Sequence, residues 1–397
     1  MNPSASGWIE KHFPVVLENL HDKNWQTNNF YLELRNAGFI YANTLQTPSY
    51  PQSISSKWTI EEKTKINLLD ALVVSYYQHG KKKDAKACLT KICAYYLSIE
   101  SQHKTFKKLF KFKSSPASQL ENLLHARIQT NQNLLQKNFS NLLTNALLYL
   151  DVLGFETFLK TKQSPLAYLK NTETNIVNTM YLAFQQKAEK NIYEALVLKL
   201  LQNSLRYTNQ KPSVKHLQEI KFKALKNTNA KKYVLDLACI TVYNDQAIEK
   251  TEKLFIENLG KKLGFSLQDT HQALESTQEF LKTHKAEIAY FENSNAIHQA
   301  YKNTHKLVKL LILRNKNRLL TEIKESGALV VLLSKSTHSN LTEKERKIVK
   351  EQLLDICKSV PSLAIFVLPG GSILLPILIK FIPQLLPSAF NENRITN

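Results

Sequence analysis

Breakers are scarce in this chain. Its 397 residues contain nine glycines and twelve prolines, and five of the prolines lie between Pro361 and Pro387. Little remains elsewhere to interrupt a helix, so long helices are the natural consequence. So few glycines also leave little room for phosphate cradles: there is no GxGxxG and no Walker loop, and HExxH is absent too. The triplet Gly260-Lys261-Lys262 reads as a helix terminator, not a phosphate loop. Cysteine is rare. Cys88, Cys93, Cys239 and Cys357 form no CxxC and read as free thiols in a reducing compartment. The eleven histidines show no ligand spacing and read as polar surface groups, so no metal, cofactor or catalytic residue is expected. The N-terminal "MNPSASGWIEKHFPVVLENL" lacks a charged stretch followed by an apolar core, and Glu10 precedes the first arginine, Arg35. It reads as neither a signal peptide nor a transit peptide.

What is abundant is positive charge. Fifty-three lysines and arginines face 33 carboxylates, a formal net charge of +20, and 43% of the residues are hydrophobic. That length and composition allow two or three compact units with a sizeable core, and the charge implies a polyanionic partner. The stretch "HKTFKKLFKFK", His103 to Lys113, interleaves Phe106, Phe110 and Phe112 with Lys104, Lys107, Lys108, Lys111 and Lys113. This is a candidate polyanion-binding site, suited to stacking on RNA or lying on anionic lipid. The alternative is an ordinary helix with core aromatics and solvated lysines.

Apolar periodicity makes the chain all-α, a multi-helix body of two subdomains. Residues 1–229 read as successive helices, some paired as hairpins. "TIEEKTKINLLDALVVSYYQHG" ends at Gly80 and is followed by "DAKACLTKICAYYLSIE" as its antiparallel partner, and "SSPASQLENLL" carries a serine-proline helix start. A second unit, residues 230–340, begins after the lysine-rich joint "KFKALKNTNAKK". Its opening run, Tyr233 to Leu281, resembles the TerB-like helical module. The match rests on an apolar helix, a turn at Asp245, Ile248 and Glu249, and a second helix closing on "LGKKLGFS". That family's turn can hold a metal with an acidic cluster and a glycine, and here Gln246 occupies the glycine position. A basic amphipathic helix, His305 to Leu320, leads into the uncharged Ser326–Ser334, which is too short to span a membrane.

Residues 341–390 change character, and 391–397 form a tail. Thr342 and Glu345 form a capping box for an approach helix on which Val349, Leu353, Ile356 and Val360 repeat at helical spacing. From Ser359 to Ile379 no residue is charged, which is 21 positions and long enough to span. Three geometries fit the run. A transmembrane helix would be kinked at Pro369, Pro376 and Pro383, with Ser372 satisfying a freed carbonyl. A re-entrant hairpin would turn at Pro369, Gly370 and Gly371. A buried apolar arm in a soluble fold is the third. Pro361 and Pro387 bound the segment, and Lys380 is its one internal charge, near enough to the end to snorkel. More basic residues precede the run than follow it, which keeps the bulk of the chain inside.

The segment Leu341 to Phe390 resembles the membrane segment of the LETM family, the leucine-zipper and EF-hand containing transmembrane proteins of the mitochondrial inner membrane and their bacterial relatives. The matching elements are "LTEKER", the basic-to-apolar change at Lys358-Ser359-Val360-Pro361, "LLP" at Leu374 to Pro376, "IKFIP" at Ile379 to Pro383 and "LLPSAF" at Leu385 to Phe390. The resemblance implies a lipid bilayer and the ribosome or its RNA as partners, with a homo-oligomer as a further expectation. The expected location is the bacterial inner membrane with the bulk of the chain cytoplasmic, or alternatively the mitochondrial inner membrane. The expected role is a membrane-anchored binding module contacting ribosomes or nascent membrane proteins; the alternative is a component of a potassium or calcium/proton exchange or ion homeostasis system. Two departures bear on these roles. The family's ribosome-contacting domain follows the LPS-aromatic motif, here only seven residues before the end, so that domain is expected to be missing. An acidic residue of the family's membrane segment is replaced by Ser372, and no Asp, Glu or His lies between Asp355 and Glu392 to carry a proton at depth.

Overall fold

In the computed structural model the described residues are 1–21, 25, 27–80, 82–99, 115–128, 147–161, 164–186, 207, 214–243, 248–284, 287, 308–359, 363, 379 and 382. Every regular element among them is helical. In chain order they are α1 (Trp8–Asn19), α2 (Thr27–Asn36), α3 (Gln52–Ser55), α4 (Ile60–His79), α5 (Ala85–Ile99), α6 (Pro116–Ile128), α7 (Tyr149–Thr161) and α8 (Leu166–Gln185). Two short 3-10 turns, Leu217–Glu219 and Phe222–Ala224, lead to α9 (Thr228–Val242), α10 (Lys250–Leu263), α11 (Leu267–His284), α12 (Lys316–Glu325), α13 (Gly327–His338) and α14 (Glu343–Ser359).

Local chemistry explains the boundaries. The Thr59 hydroxyl accepts from the Glu62 amide at 3.2 Å while the Glu62 carboxylate accepts from the Thr59 amide at 2.9 Å, a capping box that opens α4. Gly80 closes it by donating to the Tyr76 carbonyl at 2.6 Å. Pro116 opens α6 at the position where a missing N–H costs nothing. Helix α1 has no capping side chain of its own, since Gly7 stands at its N-cap. Glu121 of α6 does that work instead, accepting from the amides of Gly7 and Ile9, both at 3.0 Å. The terminator of α10 is Gly264, at φ +86°, and not the Gly260 triplet. Gly260 serves another end. A β-carbon there would stand 2.1 Å from Thr270 Oγ1, so its absence lets α10 and α11 touch.

The body is built around α4, buried from Thr64 to Tyr76 without an exposed face. Helices α2, α5, α6 and α7 pack on it; α7 leads to α8, α8 to α9, and α9 to α10 and α11. One hydrophobic core runs from Trp8 to Leu274 and is continuous across residues 229–230. A second core belongs to the last helices, with Val308, Ile312, Ile323, Leu329 and Leu333 closing against Val349 and Leu353. The basic helix expected from His305 to Leu320 is broken: residues 308–314 are helical, a turn follows at Asn315, and α12 begins at Lys316.

Candidate functional site

Two kinds of chemistry compete for the site: buried ionic clusters in the body, and the surface of the C-terminal unit. The clusters are numerous. His12, expected among the surface histidines, is instead fully buried, because its ring bonds Asp70 Oδ1 at 2.5 Å and Tyr50 Oη at 2.9 Å. Ser49 donates to the other oxygen of Asp70 at 2.7 Å. The carboxylate therefore sits between serine and imidazole, so Ser49 is not aimed at the base that would activate it. Arg127 forks onto both oxygens of Asp151 at 2.7 Å, with Tyr96 and Tyr207 donating to the same carboxylate. Asp236 accepts from Tyr31 at 2.6 Å and faces Arg35 at 3.7 Å. These groups satisfy buried charge and lock helices together. Burial also pushes the thiols of Cys93 and Cys357 up to about 12, which leaves them inert. No group of three or more ligand-type side chains suited to a metal occurs among the described residues.

The C-terminal unit differs because its charges face outward. The capping box read from sequence is present: Glu345 accepts from the Thr342 amide at 2.9 Å, and the Thr342 hydroxyl accepts from the Glu345 amide at 3.3 Å. Lys335 of α13 reaches the same carboxylate at 2.7 Å, and these bonds, the lysine's first, hold Glu345 at about 2. The buried stripe of α14 is Val349, Leu353, Ile356 and Cys357. Its other side carries exposed Lys344, Arg346, Lys347, Lys350 and Lys358. Between residues 308 and 359, eleven lysines and arginines stand against six carboxylates. Exposed Leu313, Val331 and Ile348 add apolar points to this basic surface.

Three residues of the apolar run are described. Leu363 and Ile382 are fully buried in the C-terminal core, and Ile379 packs against it. Pro361, Pro369, Gly370, Gly371, Ser372, Pro376, Lys380, Pro383 and Pro387 lie outside the described residues, as do Lys104, Lys107, Lys108, Lys111 and Lys113. No described helix is long and apolar enough to cross a membrane.

The family comparison falls on this unit. Residues 341–397 match the LETM1-like ribosome-binding domain model. The LETM resemblance read from the approach helix and the proline-rich run is thus found again on the same stretch. The matched description attaches the ribosome-binding domain to α14 and the residues after it, whereas the sequence reading placed that domain beyond Phe390. No curated protein and no solved structure matches the chain.

Proposed function

We propose that this LETM-like chain is a membrane-anchored binding module whose C-terminal unit contacts the ribosome at the bacterial inner membrane. The observation that carries the reading is the match to a LETM1-like ribosome-binding domain over 341–397, on a helix whose outward residues are mostly basic. The capping box and the buried stripe fix α14 with Lys344, Lys347 and Lys350 toward solvent, where they can meet RNA phosphates without rearrangement. The proline-rich run that follows supplies the anchor, and the helical body supplies further contacts.

Co-sedimentation of the full-length protein with ribosomes tests the reading. Binding is expected at low salt and should be lost by about 0.5 M, as counterion release requires. The combination Lys344→Glu, Lys347→Glu and Lys350→Glu should abolish it at intermediate salt. Carbonate extraction tests the anchor: full-length protein should stay with the membrane and a chain truncated after Lys358 should be released. Cation-driven proton flux in vesicles without ribosome association would replace this reading by the exchange role.

A further inference from the structure

A second basic surface lies on the body, outside the matched segment. Residues 214–232 contain six lysines and one carboxylate, Glu219, which is occupied in accepting from the amides of Lys215 and His216. Folding gathers these charges at one end of the α9–α11 bundle. Lys262, in the last turn of α10, donates to the Leu217 carbonyl at 2.5 Å and lies 5.8 Å from the Phe222 ring centre. Lys231 of α9 brings its ammonium to within 3.7 Å of where a β-carbon on Gly264 would stand. The two 3-10 turns, the start of α9 and the end of α10 therefore meet. None of these lysines stands within 4.0 Å of a described carboxylate oxygen, and Lys232 alone is near enough to Asp236 and Asp269 to favour their charged forms.

The fold explains only part of this. Lysines in the last turn of α10 complement the negative end of that helix. At the start of α9 positive charge is in excess. A helix N-terminus favours acidic neighbours, and α9 has none in its own first turn; Glu156 of α7, buried, accepts from Nδ2 of the N-cap Asn227 at 2.6 Å, while Lys226, Lys231 and Lys232 flank that end. One buried carboxylate stands against three lysines there, and the excess positive charge attracts an anion from outside. The apolar side chains of the joint do not help a lipid surface, since Ile220, Phe222 and Leu225 are all buried and the one large exposed apolar residue nearby is Leu267.

We infer that this end of the bundle, with Lys221, Lys223, Lys226, Lys231, Lys232 and Lys262, is a docking surface for the phosphate backbone of RNA. The inference rests on the ribosome reading for its biological partner, but its chemistry stands on a different surface. Two basic surfaces on one chain raise overall avidity beyond either alone where both can engage the same partner at once.

The test uses full-length protein and a labelled oligouridylate of about 30 nucleotides. Each phosphate contact on a single strand contributes a salt slope of about 0.7, or about fivefold in affinity at roughly 0.1 M salt. The combination Lys221→Glu, Lys223→Glu and Lys226→Glu should weaken binding about a hundredfold and reduce the slope by about 2. All three side chains are exposed, and the corresponding glutamine combination, which adds no charge, should give the same direction with an unchanged melting temperature. Unchanged oligouridylate binding in both combinations overturns the inference. So does a loss confined to phosphatidylcholine vesicles containing phosphatidylglycerol, which would assign the surface to lipid with Leu267 as its inserted residue. If the wild-type protein binds oligouridylate through this surface but does not co-sediment with ribosomes, the inference stands and the proposed function fails.

Discussion

Arg314 reaches out of the C-terminal unit to Glu62 in the first turn of α4, at 2.6 Å, and joins the two hydrophobic cores. The Glu62 side chain is 2% exposed and that of Arg314 15%, so the pair is poorly screened by solvent. Replacing Arg314 by methionine keeps the stem and removes the charge. Glu62 then retains only neutral donors, Ser4 Oγ at 2.5 Å and the Thr59 amide at 2.9 Å. Because those donors remain, the cost should fall at the low end of the range for breaking a buried pair, about 3 kcal/mol. Glu62→Gln should cost at least as much, since Arg314 Nε and Nη2 already lack partners among the described residues and Nη1 then loses its counter-charge. The double variant should be far less damaged than the sum, with a coupling energy of about 2 kcal/mol or more. Urea denaturation of the four proteins measures this. A coupling below about 0.5 kcal/mol would show that the joint is held by something other than this ion pair.

Three further outcomes are expected. Burial pushes the Asp236 carboxyl up to about 6, against the pull of Arg35 and Tyr31. Its folded value lies above the unfolded one, so this group's favourable contribution is complete below the unfolded value and is lost as pH rises through 6; thermal melts from about pH 4 to 7 should show it, and Asp236→Asn should flatten that slope. Gly260→Ala drives a methyl into Thr270 and should cost about 1–3 kcal/mol by denaturant titration, with partial recovery when Thr270→Ala is added. Gly264→Ala imposes a left-handed backbone on a residue with a β-carbon and should lower stability by about 1 kcal/mol, with α10 otherwise unchanged by hydrogen exchange.

Elements whose signals are local were legible in the sequence. The box at Thr342 and Glu345, the start at Pro116, the stop at Gly80 and the stripe Val349, Leu353, Ile356 each depend on residues within a few positions of one another. What was missed depends on partners far away. Asp70 and Lys65 of α4 look like a wet face until His12 and His125, 58 and 60 residues distant, arrive beside them. Gly260 reads as a terminator because Thr270, which gives it its purpose, lies on the next helix. The break at Asn315 carries no glycine or proline, so nothing in the string announces it. The lysine joint was visible as composition, but its meeting with the end of α10 was not.

The borrowed cap of α1 has a consequence for synthesis. Glu121 is 112 residues downstream of the Ile9 amide that it satisfies. At about 5–20 residues per second, the ribosome needs roughly 6 to 20 seconds to deliver it. During that interval the first helix has an open end, and Trp8, Ile9 and Phe13, all buried in the finished protein, have no α6 to cover them. Tyr31 waits longer, since Asp236 lies 205 residues on. Helix α1 and Tyr31 are thus made well before the partners that complete them, and their folding on the ribosome waits for the emergence of α6 and α9.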